Sequence, residues 1–159
     1  NNAFGEIFKL PDAYIPETVA TIPGTDGQKM SKSYHNAIEL FEPNGSIKKK
    51  VMGIVTDSKT MEEPKEPEGN AIYELYKLFA TPDEVAEMAA NFRAGNYGYG
   101  HAKKALLEAY HRLFDPFRAR REELAKDTDT LEDILKAGAE KARAAAMATM
   151  EKVRTAVGL

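Results

Sequence analysis

From Ser33 onward the chain is punctuated for helices. The sharpest signal is Thr81-Pro82-Asp83-Glu84: Thr as N-cap, Pro at the first helical position, and Glu placed to complete a capping box. That helix is expected to end at Gly95 as a C′ residue, followed by a glycine-bearing loop over 96–100. Residues 101–126 then predict a long helix, with Leu106, Ala109, Tyr110, Leu113 and Phe117 recurring at spacings of three and four. Pro116 is expected to kink it, because it removes one backbone donor. Thr130 is read as the cap of a final helix to about Val157, with Leu131, Ile134, Leu135, Ala142, Met150 and Val153 as its apolar stripe. Three shorter helices are expected earlier: one capped by Asn36 through Phe41, one capped by Ser46 through Val55, and one opened by Asn70 through Ala80. The core faces of the last four helices predict a bundle.

Residues 1–33 read differently. Gly5, Pro11, Pro16, Pro23, Gly24 and Gly27 break them up, and no helical period survives. The alternating, β-branched run over 17–22 predicts a short strand ended by Pro23 and Gly24. A single strand needs a partner that this sequence lacks, and the chain starts at Asn1 without an initiator Met. Both features lead us to expect an internal piece of a longer protein. The stretch 56–69, with Pro64 and Pro67, is expected to be irregular and to contribute nothing to a core. The scattered Met61, Met88, Met147 and Met150 are expected to fill gaps in one.

With 43% hydrophobic and 30% charged residues the chain belongs with globular rather than disordered sequences. There is no Cys, which excludes disulfides and thiolate metal sites and fits a reducing cytosol. His35, His101 and His111 show no ligand spacing, so no metal site is expected. No apolar run is long enough for a membrane span, and the N-terminus has no signal-peptide pattern. The net charge of −3 argues against a uniformly basic nucleic-acid binder, but the charge is uneven. Residues 60–90 hold eight acidic side chains against two lysines. Residues 101–121 hold Lys103, Lys104, Arg112, Arg118, Arg120 and Arg121 against Glu108 and Asp115. Such a local basic face can grip a phosphate backbone; the plain alternative is a solvated helix face.

The segment richest in chemistry is Gly24-Thr25-Asp26-Gly27-Gln28-Lys29-Met30-Ser31-Lys32-Ser33. Its glycines let a loop move and let backbone approach a ligand. Lys29 and Lys32 are mobile point charges suited to phosphate oxygens, and Ser31 and Ser33 add neutral donors. The spacing is not that of a P-loop. By itself, a pair of lysines at this spacing also fits a plain solvent loop.

Lys29-Met30-Ser31-Lys32-Ser33 matches at every position the signature loop of class I aminoacyl-tRNA synthetases. The surrounding sequence resembles the bacterial-type tryptophanyl branch of that family: Gly5-Glu6-Ile7-Phe8, Tyr34-His35-Asn36-Ala37-Ile38, Ile54-Val55-Thr56-Asp57-Ser58, Tyr76-Lys77-Leu78-Phe79, and Gly98-Tyr99-Gly100-His101-Ala102-Lys103-Lys104-Ala105-Leu106. The likeness runs the length of the chain, in order.

The resemblance implies a mainly α fold. Residues 1–36 would be the last remnant of an α/β, Rossmann-like nucleotide-binding domain, and residues 37–159 a helical anticodon-binding domain. It implies ATP-dependent activation of L-tryptophan to the adenylate and transfer to tRNA(Trp), in a cytoplasmic homodimer with no membrane partner, with Mg²⁺ accompanying ATP. Lys29 and Lys32 would stabilise the departing pyrophosphate, while Met30, Ser31 and Ser33 complete the nucleotide contacts. Asp57 would read an anticodon base, the alternative being a plain turn residue. Lys103 and Lys104 would meet tRNA phosphates, the alternative being a solvated helix start. Tyr97 and Tyr99 can stack on bases or anchor their loop to the bundle. The family's second signature, two His separated by two residues, is missing, so the chain alone is expected to be inactive. Two other readings are a tyrosyl-type synthetase piece and a non-catalytic helical module binding tRNA or protein.

Overall fold

The computed structural model describes residues 1–16, 19 and 21–159. Among them the protein is helical and no strand forms. Five helices follow one another: α1 (Asn44–Met52), α2 (Ala71–Tyr76), α3 (Pro82–Ala94), α4 (Tyr99–Lys126) and α5 (Thr128–Val157). A 3-10 turn, Lys32–Tyr34, precedes them. The strand expected over 17–22 falls partly on residues 17, 18 and 20, outside the described residues; nearby, the only extended pairing described is one antiparallel bridge between Pro23 and Lys29.

Local chemistry sets most boundaries. Asn70 caps α2, its Oδ1 accepting from the amides of Ile72 at 3.0 Å and Tyr73 at 3.4 Å. The capping box of α3 forms as expected: Thr81 Oγ1 accepts from the Glu84 amide and Glu84 Oε2 accepts from the Thr81 amide. Gly95 ends α3 with φ 78, and a Cβ there would run into the carbonyl of Glu62, so only glycine fits. α4 continues helical through Pro116. The cap of α5 is Asp127, whose side chain accepts from the Thr130 amide at 3.0 Å. Thr130, expected as the cap, is therefore inside the helix.

The helix expected over 36–41 does not form. The carbonyls that would begin its ladder are claimed from outside, Asn36 O by the Thr25 amide at 2.9 Å and Ala37 O by Lys50, and those at its end are claimed as well. Lys50 Nζ donates to Ala37 O at 2.8 Å, Tyr110 Oη to Leu40 O at 2.6 Å, and Arg118 to Leu40 O and Glu42 O, both at 2.9 Å. Ser46 likewise caps nothing: Pro43 precedes α1, and the Ser46 hydroxyl donates to Glu42.

The chain divides into two compact units, Pro16–Arg118 and Asn1–Ile15 with Ala119–Leu159. The division expected at 36/37 falls inside the first of these. That unit carries the core: Ile47 and Val51 of α1, Ile72 and Leu75 of α2, Met88 and Phe92 of α3, and Leu106 and Tyr110 of α4, with Ile54 between α1 and α2. Partly buried Ile22, Met30 and Ile38 pack against it. Burial at about 25 cal/mol per Å² makes this cluster the main source of stability. In the other unit α5 buries no side chain, and Leu131, Ile134, Leu135 and Met150 are exposed. Of the last four helices expected to share a core, α2, α3 and α4 do so and α1 joins them, while α5 contributes no buried side chain. Met88 is buried as expected, whereas Met61, Met147 and Met150 are exposed.

Stretch 56–69 also departs from expectation. It holds Lys65, only 2% exposed, and Pro67, fully buried. The Lys65 ammonium uses all three donors on backbone: Thr60 O at 2.6 Å, Glu63 O at 2.8 Å and Met61 O at 3.2 Å. A desolvated charge is tolerable only when so surrounded.

Candidate nucleotide and tRNA site

The lysine-serine segment forms a tight hairpin. Gly24 and Gln28 close it through Gly24 N–H donating to Gln28 O at 2.6 Å, and Met30 N–H donates to Ile22 O at 2.8 Å. Gly27 turns the tip with φ 82. Ser31 then caps the 3-10 turn, its hydroxyl oxygen accepting from the Ser33 amide at 3.3 Å. Lys29 and Lys32 are exposed, and neither forms an ion pair among the described residues. Met30 points the other way in burial: it packs on the core and lines an apolar cavity of about 160 Å³ with Ile22, Ile38, Phe79 and Tyr110. The hairpin therefore has an apolar underside and a cationic outer side.

Asn36 holds the hairpin together, a role that reading it as a helix cap missed. Its side chain is 2% exposed. Oδ1 accepts from the Ser31 amide at 2.8 Å, and Nδ2 donates to Asp26 Oδ1 at 2.8 Å and to Lys29 O at 3.2 Å. The Asn36 bond, with help from the Gln28 amide, holds the Asp26 carboxyl below its ordinary range despite some desolvation. His35 precedes Asn36 in the left-handed region (φ 55), which redirects the chain into this position. No local signal in the sequence marks this role, because the partners of Asn36 lie across the hairpin at Asp26, Lys29 and Ser31.

The hairpin is bonded to the helical body. Thr25 O accepts from the Val55 amide at 2.8 Å. Asp26 and Gly27 share a cleft of about 440 Å³ with Thr56, Asp57, Lys59 and Asn70. Asp57 is exposed; Oδ1 accepts from the Lys59 amide at 3.0 Å and from the Tyr99 hydroxyl at 2.8 Å. Partial burial opposes its ionisation, but those two donors outweigh it and hold the carboxyl below its ordinary range. Burial, together with the bond to Asp57, pushes the Tyr99 phenol well up. Tyr97 and Tyr99 both pack edge-on against Phe92, so they anchor the turn before α4.

The basic stretch is less open than its composition implied. Lys103 Nζ donates to Ile54 O at 2.7 Å and Met52 O at 3.0 Å, covering the carbonyls at the end of α1, and burial lowers its pKa. Arg112 clamps Glu84 through two bonds of 2.8 Å, and Arg118 holds the segment before α1. Lys104 is exposed. The described residues bring Asp57 and the hairpin to one cleft, while Lys103 and Lys104 differ in what they are free to touch. They contain no cluster able to hold a metal ion.

An exposed two-lysine hairpin seated on a helical body is an arrangement with known counterparts. Residues 1–115 match the family model of tRNA synthetases class I (W and Y), and the chain belongs to that family. Within it the similarity is to tryptophan--tRNA ligases. The Rhodopirellula baltica enzyme is 50% identical over 159 residues, which is all of this chain and 50% of that protein. The Fusobacterium nucleatum enzyme is 47% identical over 160 residues, 100% of this chain and 49% of its own length. The crystal structure of tryptophanyl-tRNA synthetase from Campylobacter jejuni complexed with ADP and tryptophan superposes with a TM-score of 0.84 at 42% identity, over 100% of this chain and 50% of that one. The chain spans about half the length of the curated relatives it matches.

Proposed function

We propose that this chain supplies the phosphate-binding loop and the tRNA-holding helices of a tryptophan--tRNA ligase. The reading joins ATP-dependent activation of tryptophan to transfer onto tRNA(Trp). The observation that carries it is the hairpin: two ammonium groups are exposed and unpaired while their backbone is fixed. Attack of the tryptophan carboxylate on the α-phosphate of ATP releases pyrophosphate, and negative charge grows on the departing oxygens. Lys32 and Lys29 meet that charge as it forms; a positioned donor of this kind is typically worth about 3–4 kcal/mol of barrier. Met30, Ser31 and Ser33 shape the nucleotide contacts, and Mg²⁺ enters as the metal of the ATP substrate.

The helical residues from 37 on carry the tRNA in this reading, and those up to 36 belong with the catalytic half. Asp57 is ionised at neutral pH and lines a cleft, which suits it to accept from a base amino group such as that of cytosine. Lys104 and the remaining donor of Lys103 are the phosphate contacts. The full-length protein is cytoplasmic and homodimeric in this reading, and this chain alone makes no adenylate. Among the described residues no helix is long and apolar enough to cross a membrane.

The test is Lys32→Ala in the full-length protein. Tryptophan-dependent ATP–pyrophosphate exchange should slow by about a hundredfold or more, with tryptophan affinity barely changed. An undiminished exchange rate removes the hairpin from the reaction. Exchange activity in this chain by itself would show that the missing half is dispensable.

A further inference from the structure

We propose that Asn36 is a positioning residue for the phosphate loop, and that Gly24 is glycine in order to admit the Asn36 side chain. The inference rests on the role given above to Lys29 and Lys32. The three Asn36 bonds fall on the hairpin that carries those lysines. One goes to the carbonyl of Lys29 itself, one to the amide of Ser31 directly before Lys32, and one to Asp26 on the opposite arm. A carboxamide has an acceptor and two donors on one planar group, and here all are engaged. The two lysine side chains stay unpaired while their roots are fixed. Such preorganisation lets a cation meet developing charge without first ordering its own loop.

Gly24 supports the assignment independently. Its backbone is not left-handed, so conformation does not demand glycine. Space does: a Cβ at Gly24 would collide with Cβ, Cγ and Nδ2 of Asn36. The main chain repeats the link, since Thr25 N–H donates to Asn36 O at 2.9 Å. Gly24 and Asn36 thus form one device, and substitutions at the two should not act independently.

The experiment is a double-mutant cycle in the full-length protein, read by tryptophan-dependent ATP–pyrophosphate exchange. Asn36→Ala should lower kcat by about tenfold to a hundredfold while the KM for tryptophan moves less than about twofold. Gly24→Ala should act in the same direction. The double variant, built as Gly24→Ala with Asn36→Gly, should be no slower than Asn36→Gly alone, because the Cβ, Cγ and Nδ2 atoms that the new methyl strikes are then all gone. A general loss of structure would instead compound the two. If Asn36→Ala does not fold, Asn36→Asp serves: it keeps the acceptor for Ser31 but faces a second carboxylate, and Asp26→Asn in that background should recover part of the lost rate. Full activity of Asn36→Ala, or losses that multiply in the double variant, or no recovery with Asp26→Asn, overturns the proposal. Lys32→Ala run alongside separates the two ideas. If it is impaired while Asn36→Ala is normal, only the positioning role fails; if it is unimpaired, the reading beneath it fails.

Discussion

The hairpin over 22–36 and the helical body over 44–118 are held by different forces. The body relies on apolar burial shared among many side chains, such as Ile47, Ile72, Phe92 and Leu106, each almost fully enclosed. The hairpin relies on directional bonds that converge on a single amide, with only Ile22 and Met30 packed beneath. Distributed packing gives stability that no polar contact controls. Convergent bonding gives a defined shape at small energetic depth, which suits the proposed role of a segment that meets a ligand and releases it.

The largest expected effect tests the distributed side. Phe92→Ala removes a fully enclosed ring that also seats Tyr97 and Tyr99, and should cost about 3–5 kcal/mol. Hydrogen exchange in the full-length protein should show protection falling across α1 to α4 together. Loss confined to α3 would mean that the body is not one cooperative unit.

Lys65→Met is the next in size and extends the contrast to a third region. It leaves three inward carbonyls without their donor and should cost about 2–3 kcal/mol. Exchange should accelerate mainly over 56–69, while α4 stays protected. If the whole body loosens, this polar knot belongs to the core and the distinction between the two kinds of support is too sharp.

The smallest effect concerns pH. Glu84, paired with Arg112 and bonded to Thr81, has its carboxyl drawn down to about 2 from an ordinary 4.5. A depressed carboxyl contributes stability that is fully present above about pH 4.5 and fades as pH falls toward about 2. The melting temperature should therefore drop over that interval more steeply in the natural protein than in Glu84→Gln. Equal slopes would show that this exposed clamp contributes nothing.

Much of the helical pattern was legible because caps and breakers act within a few residues. Thr81, Pro82, Glu84 and Gly95 define α3, and Asn70 opens α2, all as their local chemistry dictates. The signature loop was legible as a string of residue types. What could not be read were features decided by residues far away in sequence. Residues 36–41 hold a plausible cap, yet Thr25 and Lys50 take the carbonyls of Asn36 and Ala37 that a helix there would need. Asn36 looks like any cap until Asp26 and Lys29 are seen across it. The apolar period of α5 identifies a face but not a partner, and that face is exposed. Lys65 sits among glutamates and prolines, where composition speaks only of solvent; its burial depends on how the chain wraps round it.

The bond from Val55 to the Thr25 carbonyl has a mechanical consequence. Val55 lies next to Ile54, whose carbonyl is tied to Lys103 of α4. The bend of the hairpin is thereby bolted to the frame, and any travel of the two ammonium groups has to originate beyond Thr25. The lever is only a few residues long, so the stroke is short, and its fulcrum is where a designer wishing to stiffen or loosen it should work.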